Sequence, residues 1–263
     1  MSTRPITELE VIRSTRLTKH MLRITLGGDG LSTFPENQES AYVKLLFPQP
    51  DNEQPLKRSY TIRHQRPMEL DIDFVLHDPK GPASSWAVQA KPGDRVLVSG
   101  PGPRKLIHHA ADWFLLVGDM AALPSISVNL EQLPPDSVGH TVIEIPCEDD
   151  IQTLIHPRGI ELHWEVNPQP DPSGEFLLSR LQRLPWRAGQ PAVWAACEFS
   201  SMRKLRGFFR EEKQIPASHL YLSSYWKIGQ PDEGHKQAKR LDNEREQATA
   251  SATPSGGSTG QQS

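Results

Sequence analysis

Arg58-Ser-Tyr-Thr-Ile-Arg63, followed by Glu69-Leu-Asp-Ile-Asp-Phe-Val-Leu-His77 and then Gly81-Pro-Ala-Ser-Ser-Trp86, is the stretch that decides the fold. Met68, Leu70, Ile72 and Phe74 alternate with Glu69, Asp71 and Asp73, the period-two pattern of a half-buried strand. In the first segment a spacing of two puts Arg58 and Tyr60 on one strand face. Tyr60 offers a flat π surface, the Thr61 hydroxyl can bond a ring edge, and Arg58 can fork onto a diphosphate. In the third segment Gly81 lets the backbone approach a ligand closely. Pro82 suits a first helical turn, where its missing N–H is not needed. The N–H groups of Ala83, Ser84 and Ser85 then face outward as an anion site at a helix start. An edge strand and a capped surface helix would explain the two halves separately. Together, and in this order, they are how a small β-barrel holds a flavin, and the pairing of Arg58 with the helix start suits the diphosphate of FAD. His77, at its strand's end, reads either as a contact to the diphosphate or ribityl chain or as a satisfied structural histidine.

Outward from this stretch the first part of the chain is β. Leu9–Arg16, His20–Gly27, Ala41–Phe47, Arg58–Arg63, Met68–Leu76 and Asp94–Ser99 read as strands, with Pro82–Ala90 the one helix. Six short strands with one inserted helix predict a closed antiparallel barrel. Pro101-Gly-Pro103 punctuates the boundary. Beyond it strands and helices alternate: strands at 112–118, 140–145, 160–165, 191–196 and 219–226, and helices at 123–133, 175–183, 199–213 and 233–246. That alternation predicts a doubly wound parallel sheet. In the helix from Phe199, Met202, Leu205 and Phe209 form an apolar stripe with Arg203, Arg206 and Arg210 off it. The organisation expected is a β-barrel over 1–108, an α/β domain with a C-terminal helix over 109–242, and a disordered tail over 243–263, rich in Ala, Ser, Thr, Gly and Gln.

Composition removes several classes. No apolar run approaches ~18 residues, so no membrane span is expected, and the amino terminus has no hydrophobic signal segment. The two cysteines, Cys147 and Cys197, exclude a four-thiolate iron–sulfur cluster and give no disulfide framework. A reducing, cytoplasmic home follows as the expectation. A net charge of −3 argues against a general nucleic-acid binder. Ten histidines invite a metal, but no His or Cys spacing matches a closed zinc or iron site, so no protein-bound metal is expected.

A flavin barrel followed by a nucleotide-type α/β domain is the arrangement of ferredoxin-reductase-like enzymes. Within them the chain resembles the siderophore-interacting proteins, flavin-dependent ferric-siderophore reductases. The resemblance rests on Phe47-Pro-Gln-Pro50, Arg58-Ser-Tyr-Thr61, Asp73-Phe-Val-Leu-His77, Gly81-Pro-Ala-Ser-Ser-Trp86, Pro92-Gly-Asp94, Gly100-Pro101, Gly118-Asp119 with Ala122-Leu-Pro124, and Tyr225-Trp-Lys-x-Gly229. It implies FAD as resident cofactor, NADPH or NADH as donor, and a ferric siderophore as substrate, with ferredoxin as an alternative donor. Ser59 and Trp86 join the flavin contacts as members of their motifs. Catalysis then needs no side chain as acid or base, and the functional residues are binding residues.

Gly118 and Asp119 sit where a strand ends and a helix begins, the position for a nicotinamide cofactor in an open α/β sheet. Asp119 reads equally as a helix N-cap. Met120 and Ala121 replace the polar pair usual in the family, which leaves the backbone role of Gly118 intact. Cys197 stands where the family commonly has glycine, and reads as a small buried residue. Tyr225 and Trp226 are either core or a border of the flavin and nicotinamide pocket. Arg203 and Arg206 are candidates for a 2′-phosphate. By the resemblance Lys44, on the face opposite Val43 and Leu45, lies where an anionic ferric siderophore docks, with Arg104, Lys105 and Lys227 extending that basic surface. Two other readings stay open: a flavin or ferredoxin-type reductase with a protein electron partner, and a non-catalytic siderophore-binding flavoprotein.

Overall fold

A computed structural model of the chain describes residues 4–49, 52–78, 81–170 and 172–252. Its first half is built on β1 (Ile6–Thr18), β2 (Met21–Gly27), β3 (Tyr42–Gln49), β4 (Asn52–Arg66), β5 (Glu69–Val75) and β6 (Arg95–Ser99), with α1 (Pro82–Gln89) between the last two. The six strands close into an antiparallel barrel in the order β1-β2-β5-β4-β3-β6. Alternation sets the interior. Val43 and Leu45, Ile24 and Leu26, and Leu70, Ile72 and Phe74 are all fully buried in one cluster.

The expectation of a half-buried strand at β5 is corrected. Asp71 and Asp73, on its polar side, are 3% and 7% exposed. Basic side chains from neighbouring strands cover that side. Asp73 takes Arg23 as a fork at 2.6 and 2.8 Å, and Asp71 takes Arg66 as a fork at 2.9 and 2.7 Å with Thr25 and His64 beside it. A buried carboxylate is tolerable only when paired in this way. Met68, read as an inward residue, lies in the turn before β5 and is 48% exposed.

The second half carries β7 (Trp113–Asp119), α2 (Leu123–Gln132), β8 (Val138–Ile145), β9 (Gly159–Val166), α3 (Glu175–Arg183), β10 (Pro191–Glu198), α4 (Phe199–Gly207, continued by a π turn to Glu212), β11 (Leu220–Trp226) and α5 (Asp232–Ala252). The strands are parallel in the order β11-β10-β7-β8-β9, so the winding reverses between β7 and β10. Both faces of β7 are covered. Phe114 and Leu116 pack with α2 residues and Trp194, while Trp113, Leu115 and Val117 pack with α3 and α4. Such two-sided burial is why the strand reads as an unbroken apolar run. Met202, Leu205 and Phe209 are fully buried, as the apolar stripe implied. α5 continues past residue 243 because Glu, Arg, Gln and Ala are good helix formers there, and Arg240 pairs with Glu244 one turn on. Residues 253–263, the rest of the expected tail, lie outside the described residues.

The two halves are packed on each other through α2 and the connection after β6. Arg63 of β4 pairs with Glu131, Asn129 Oδ1 accepts from the Ile107 N–H at 2.7 Å, and the Lys105 carbonyl accepts from Ser40, Asn129 and the Trp194 indole. Met21 of the barrel is buried within the cluster of the second half.

Candidate functional site

Tyr60 lies half-buried at the rim of the barrel core, its ring centroid 4.3 Å from that of Phe74. Trp86 completes an aromatic group, 5.8 Å from Phe74 and 5.7 Å from Phe47. Ser59, the neighbour of Tyr60, is exposed. Arg58 reaches α5, where its guanidinium donates to Glu233 at 3.0 Å. A carboxylate therefore engages the group that sequence assigned to a diphosphate.

The helix start after Gly81 has the expected build, with Pro82 at its first position. One detail is corrected. The Ser85 N–H donates to the Gly81 carbonyl at 2.9 Å, the first bond inside the helix, so it does not face outward. The N–H groups of Ala83 and Ser84, in the turn before that bond, are the ones helix geometry leaves open. Both residues are buried, and the Ser84 hydroxyl turns back to the Gly81 carbonyl at 3.0 Å. His77 is exposed, and its ring lies 3.9 Å from where a Cβ on Gly81 would stand, so the two border one surface.

Thr61 points the other way, into the second half. Its Oγ1 is 2.9 Å from Ser125 Oγ on α2, and that hydroxyl is 3.5 Å from the Tyr225 hydroxyl on β11. Ser125 was missed in the sequence, where it is one unremarked serine after Pro124.

At the winding reversal Gly118 is required by close approach: a Cβ there would stand 2.6 Å from the Ala196 carbonyl oxygen. Asp119 is a bracket joining three strand ends. One oxygen accepts the Ala121 and Ala122 N–H groups at 3.0 and 3.3 Å. The other accepts the Glu198 N–H at 2.9 Å and the Trp226 indole at 2.7 Å. Burial pushes its carboxyl up to about 6, against the pull of those donors. Glu198, a family-motif position to which the sequence assigned no role, caps α4 through Ser200 and Ser201 and accepts the Ile228 N–H at 3.1 Å. Cys197 is fully buried.

The basic residues divide. Lys44 pairs with Ser59 on one side and Ser99 on the other, on the face opposite the fully buried Val43 and Leu45. Among the described residues it makes no ion pair. Arg104 instead donates to the Glu39 carbonyl at 3.0 Å and to Gln132 at 2.9 Å, in the seam between the halves. The Lys105 ammonium lies 5.6 Å over the Tyr221 ring and that of Lys227 4.3 Å over Phe199. Arg203 and Arg206 both grip Asp242 of α5, at 3.1 and 2.7 Å.

Residues 111–229 match the family described as siderophore-interacting protein, and residues 10–57 and 49–105 match the siderophore-interacting FAD-binding domain. The ferric vibriobactin reductase ViuB of Vibrio cholerae is 30% identical over 89% of this chain and 93% of its own. The NADPH-dependent ferric-chelate reductase of Escherichia coli is 29% identical over 83% and 92%. The crystal structure of the siderophore-interacting protein SipS from Aeromonas hydrophila superposes with a TM-score of 0.82 at 31% identity, covering 92% of this chain and 99% of that one. An FAD-binding barrel and a parallel α/β half, each matched in sequence and superposed together in structure, establish that the chain belongs to the siderophore-interacting proteins.

Proposed function

We propose that this flavoprotein reduces the Fe(III) of a ferric siderophore, drawing electrons from NAD(P)H through FAD, and so frees the metal as Fe(II). The observation that carries the reading is the run Thr61–Ser125–Tyr225. It joins the strand bearing Arg58 and Tyr60 to the start of α2, beside the strand ends where open α/β sheets take nucleotides. Hydride transfer between two bound cofactors needs such a common border.

The residues present suit FAD. Arg58 can leave the exposed Glu233 for a diphosphate, which matches a guanidinium fork better than one carboxylate oxygen does. The Ala83 and Ser84 N–H groups add two donors at a helix start. Tyr60 supplies a ring face, and Thr61 a hydroxyl already oriented by Ser125. FAD bound there supplies the conversion of one two-electron donation into single-electron deliveries, chemistry that belongs to the cofactor. The protein's part is position and charge. Lys44 gives the barrel face a cation for an anionic chelate, and the names of the Vibrio and Escherichia relatives point to that substrate class and to NADPH. Hard anionic oxygen donors hold Fe(II) far less tightly than Fe(III), so one electron suffices for release. A cytoplasmic site of reaction is part of this proposal, argued from the use of NAD(P)H as donor. No described helix is long and apolar enough to cross a membrane.

The test is anaerobic mixing of purified protein, NADH or NADPH, and a panel of ferric siderophores, with an Fe(II)-trapping dye. The flavin should bleach on adding the nicotinamide, dye colour should need all three components, and denaturation should release FAD. Bleaching only by reduced ferredoxin would move the donor. Recovery of FMN, or no Fe(II) from any siderophore and donor, would refute the assignment.

A further inference from the structure

The turn between β1 and β2 reaches across to the second half, where Thr18 and His20 meet Cys147 and Asp150 on the short 3-10 turn after β8. Asp150 is fully buried, and its two oxygens are used differently. Oδ1 accepts from the Thr18 hydroxyl and the His20 backbone N–H, both at 2.8 Å. Oδ2 faces His20 Nδ1 at 2.6 Å and Cys147 Sγ at 3.2 Å, and Sγ lies 3.9 Å from Nδ1. The carboxylate is thus anchored at one oxygen so that the other points at an imidazole nitrogen and a thiol. A carboxylate held by hydrogen bonds in this way is the usual arrangement of a metal ligand. None of these groups is among the residues assigned above to the flavin or the nicotinamide.

We infer that His20, Cys147 and Asp150 form a site for a borderline-soft divalent cation, Zn2+ foremost, that ties the barrel to the α/β half. An imidazole, a thiolate and a carboxylate are the donors such an ion takes, three from protein and a fourth from water. Bonds of about 2.0–2.3 Å set tetrahedral ligand atoms roughly 3.3–3.6 Å apart. The three atoms already lie within 4.8 Å of one another. Nδ1 and Oδ2 need to part by roughly 0.7 Å and Sγ and Nδ1 to close by roughly 0.3 Å, shifts that side-chain torsions supply. The ion replaces the two protons that Oδ2 now accepts. The thiol proton leaves to solvent, and the imidazole proton passes through solvent from Nδ1 to Nε2, on a ring 28% exposed. Thiolate and carboxylate together cancel the dication, and no electron moves. The thiol must give up its proton to ligate, so binding releases a proton and tightens as pH rises.

A second cluster, His140, Glu161 and His163, lacks this fitness. Arg180 donates to His163 Nδ1 at 3.0 Å, which leaves the proton on Nε2, the nitrogen 3.2 Å from His140 Nδ1. A cation there would have to displace both that proton and a neighbouring guanidinium.

The test uses the FAD-loaded protein, stripped with a chelator and titrated with Zn2+, with Co2+ as a spectroscopic substitute and Mg2+ as a hard-cation control. Of the two cysteines Cys197 is fully buried, so a thiol reagent applied to native protein reports Cys147. One equivalent of Zn2+ should slow that reaction by ~10-fold or more, and Mg2+ should not. Co2+ should give tetrahedral absorption in the red, where oxidised flavin is transparent. Cys147→Ala and His20→Ala, with FAD content retained, should each weaken Zn2+ binding by ~10-fold or more, the scale of losing support at a metal site. Substoichiometric binding, an unchanged thiol rate with Zn2+, or variants that bind as tightly as wild type would overturn the inference. Should a variant lose FAD, the wild-type thiol measurement decides alone.

Discussion

Replacing Trp226 by Phe tests whether Asp119 is the bracket of the nucleotide-side pocket. The substitution keeps an aromatic ring and deletes one donor, the indole N–H 2.7 Å from Asp119 Oδ2. A hydrogen bond to a charged group contributes about 1.5–3 kcal/mol. Trp226 is half-buried, which favours the lower end, about 1.5–2 kcal/mol. The same bond favours the ionised carboxyl, against the burial that pushes it up to about 6. At about 1.36 kcal/mol per pKa unit, losing it lifts Asp119 by roughly one further unit. The sign follows. Asp119 has a folded pKa above its unfolded one, so ionising it opposes folding, and Trp226 offsets part of that cost. The loss on substitution is therefore full above about pH 8, where both proteins are ionised, and shrinks below about pH 6, where wild type is protonated. Urea unfolding of the FAD-loaded proteins at pH 5 and pH 8.5, followed by circular dichroism with the slopes compared, measures both quantities. Because Asp119 joins the ends of β7, β10 and β11, KM for NAD(P)H should rise in the variant while FAD content stays constant. Equal midpoints at pH 8.5, or the same loss at both pH values, would refute the reasoning.

Three other outcomes are expected. Tyr60→Ala should weaken FAD retention by on the order of 1–3 kcal/mol, the worth of an aromatic stack, and Tyr60→Phe should keep it; retention equal to wild type in the alanine variant would make Tyr60 a packing residue against Phe74 only. Lys44→Ala should raise KM for an anionic ferric siderophore by the equivalent of about 1 kcal/mol, flatten the fall of rate with salt, and leave a neutral ferric chelate and flavin reduction unaffected; equal losses for both chelates would remove Lys44 from the docking site. Burial raises the Asp71 carboxyl, but His64, Arg66 and Thr25 outweigh it and hold it well below the usual range. Stability from such a depressed acid is present above its unfolded pKa and lost as pH falls, so the barrel should unfold in progressively less urea below about pH 4, and Asp71→Asn should flatten that decline; a wild-type midpoint constant from pH 5 to pH 3 would contradict it.

Much of the architecture was legible in local pattern. Hydrophobic pattern and turn signals gave six strands that each overlap one strand of the barrel, although β4 begins at Asn52 and not at Arg58, and the Gly81-Pro82 step located the start of α1 to the residue. Apolar runs alternating with helical stripes specified a parallel sheet covered on both faces, because only two-sided burial removes the polar alternation. The Arg58–Thr61 and Gly81–Trp86 motifs carried the flavin reading, since a strand face and a helix start are each defined by neighbours in sequence. Partners supplied from far along the chain were another matter. Asp71 and Asp73 read as outward residues until Arg23, Arg66 and His64 arrive from neighbouring strands to pair with them. The Ser85 N–H reads as open until the Gly81 carbonyl takes it. Arg58 meets Glu233 from 175 residues away and Thr61 meets Ser125 from 64, so neither contact has a trace in spacing. Cys147 and Asp150 are close in sequence, but the imidazole that completes their group comes from a turn 127 residues earlier, in the other half. Sequence determines which faces must be buried, because periodicity is local; only the docking of barrel on sheet decides which polar groups converge, because side chains so far apart in the chain share a site only when tertiary packing holds both backbones in place.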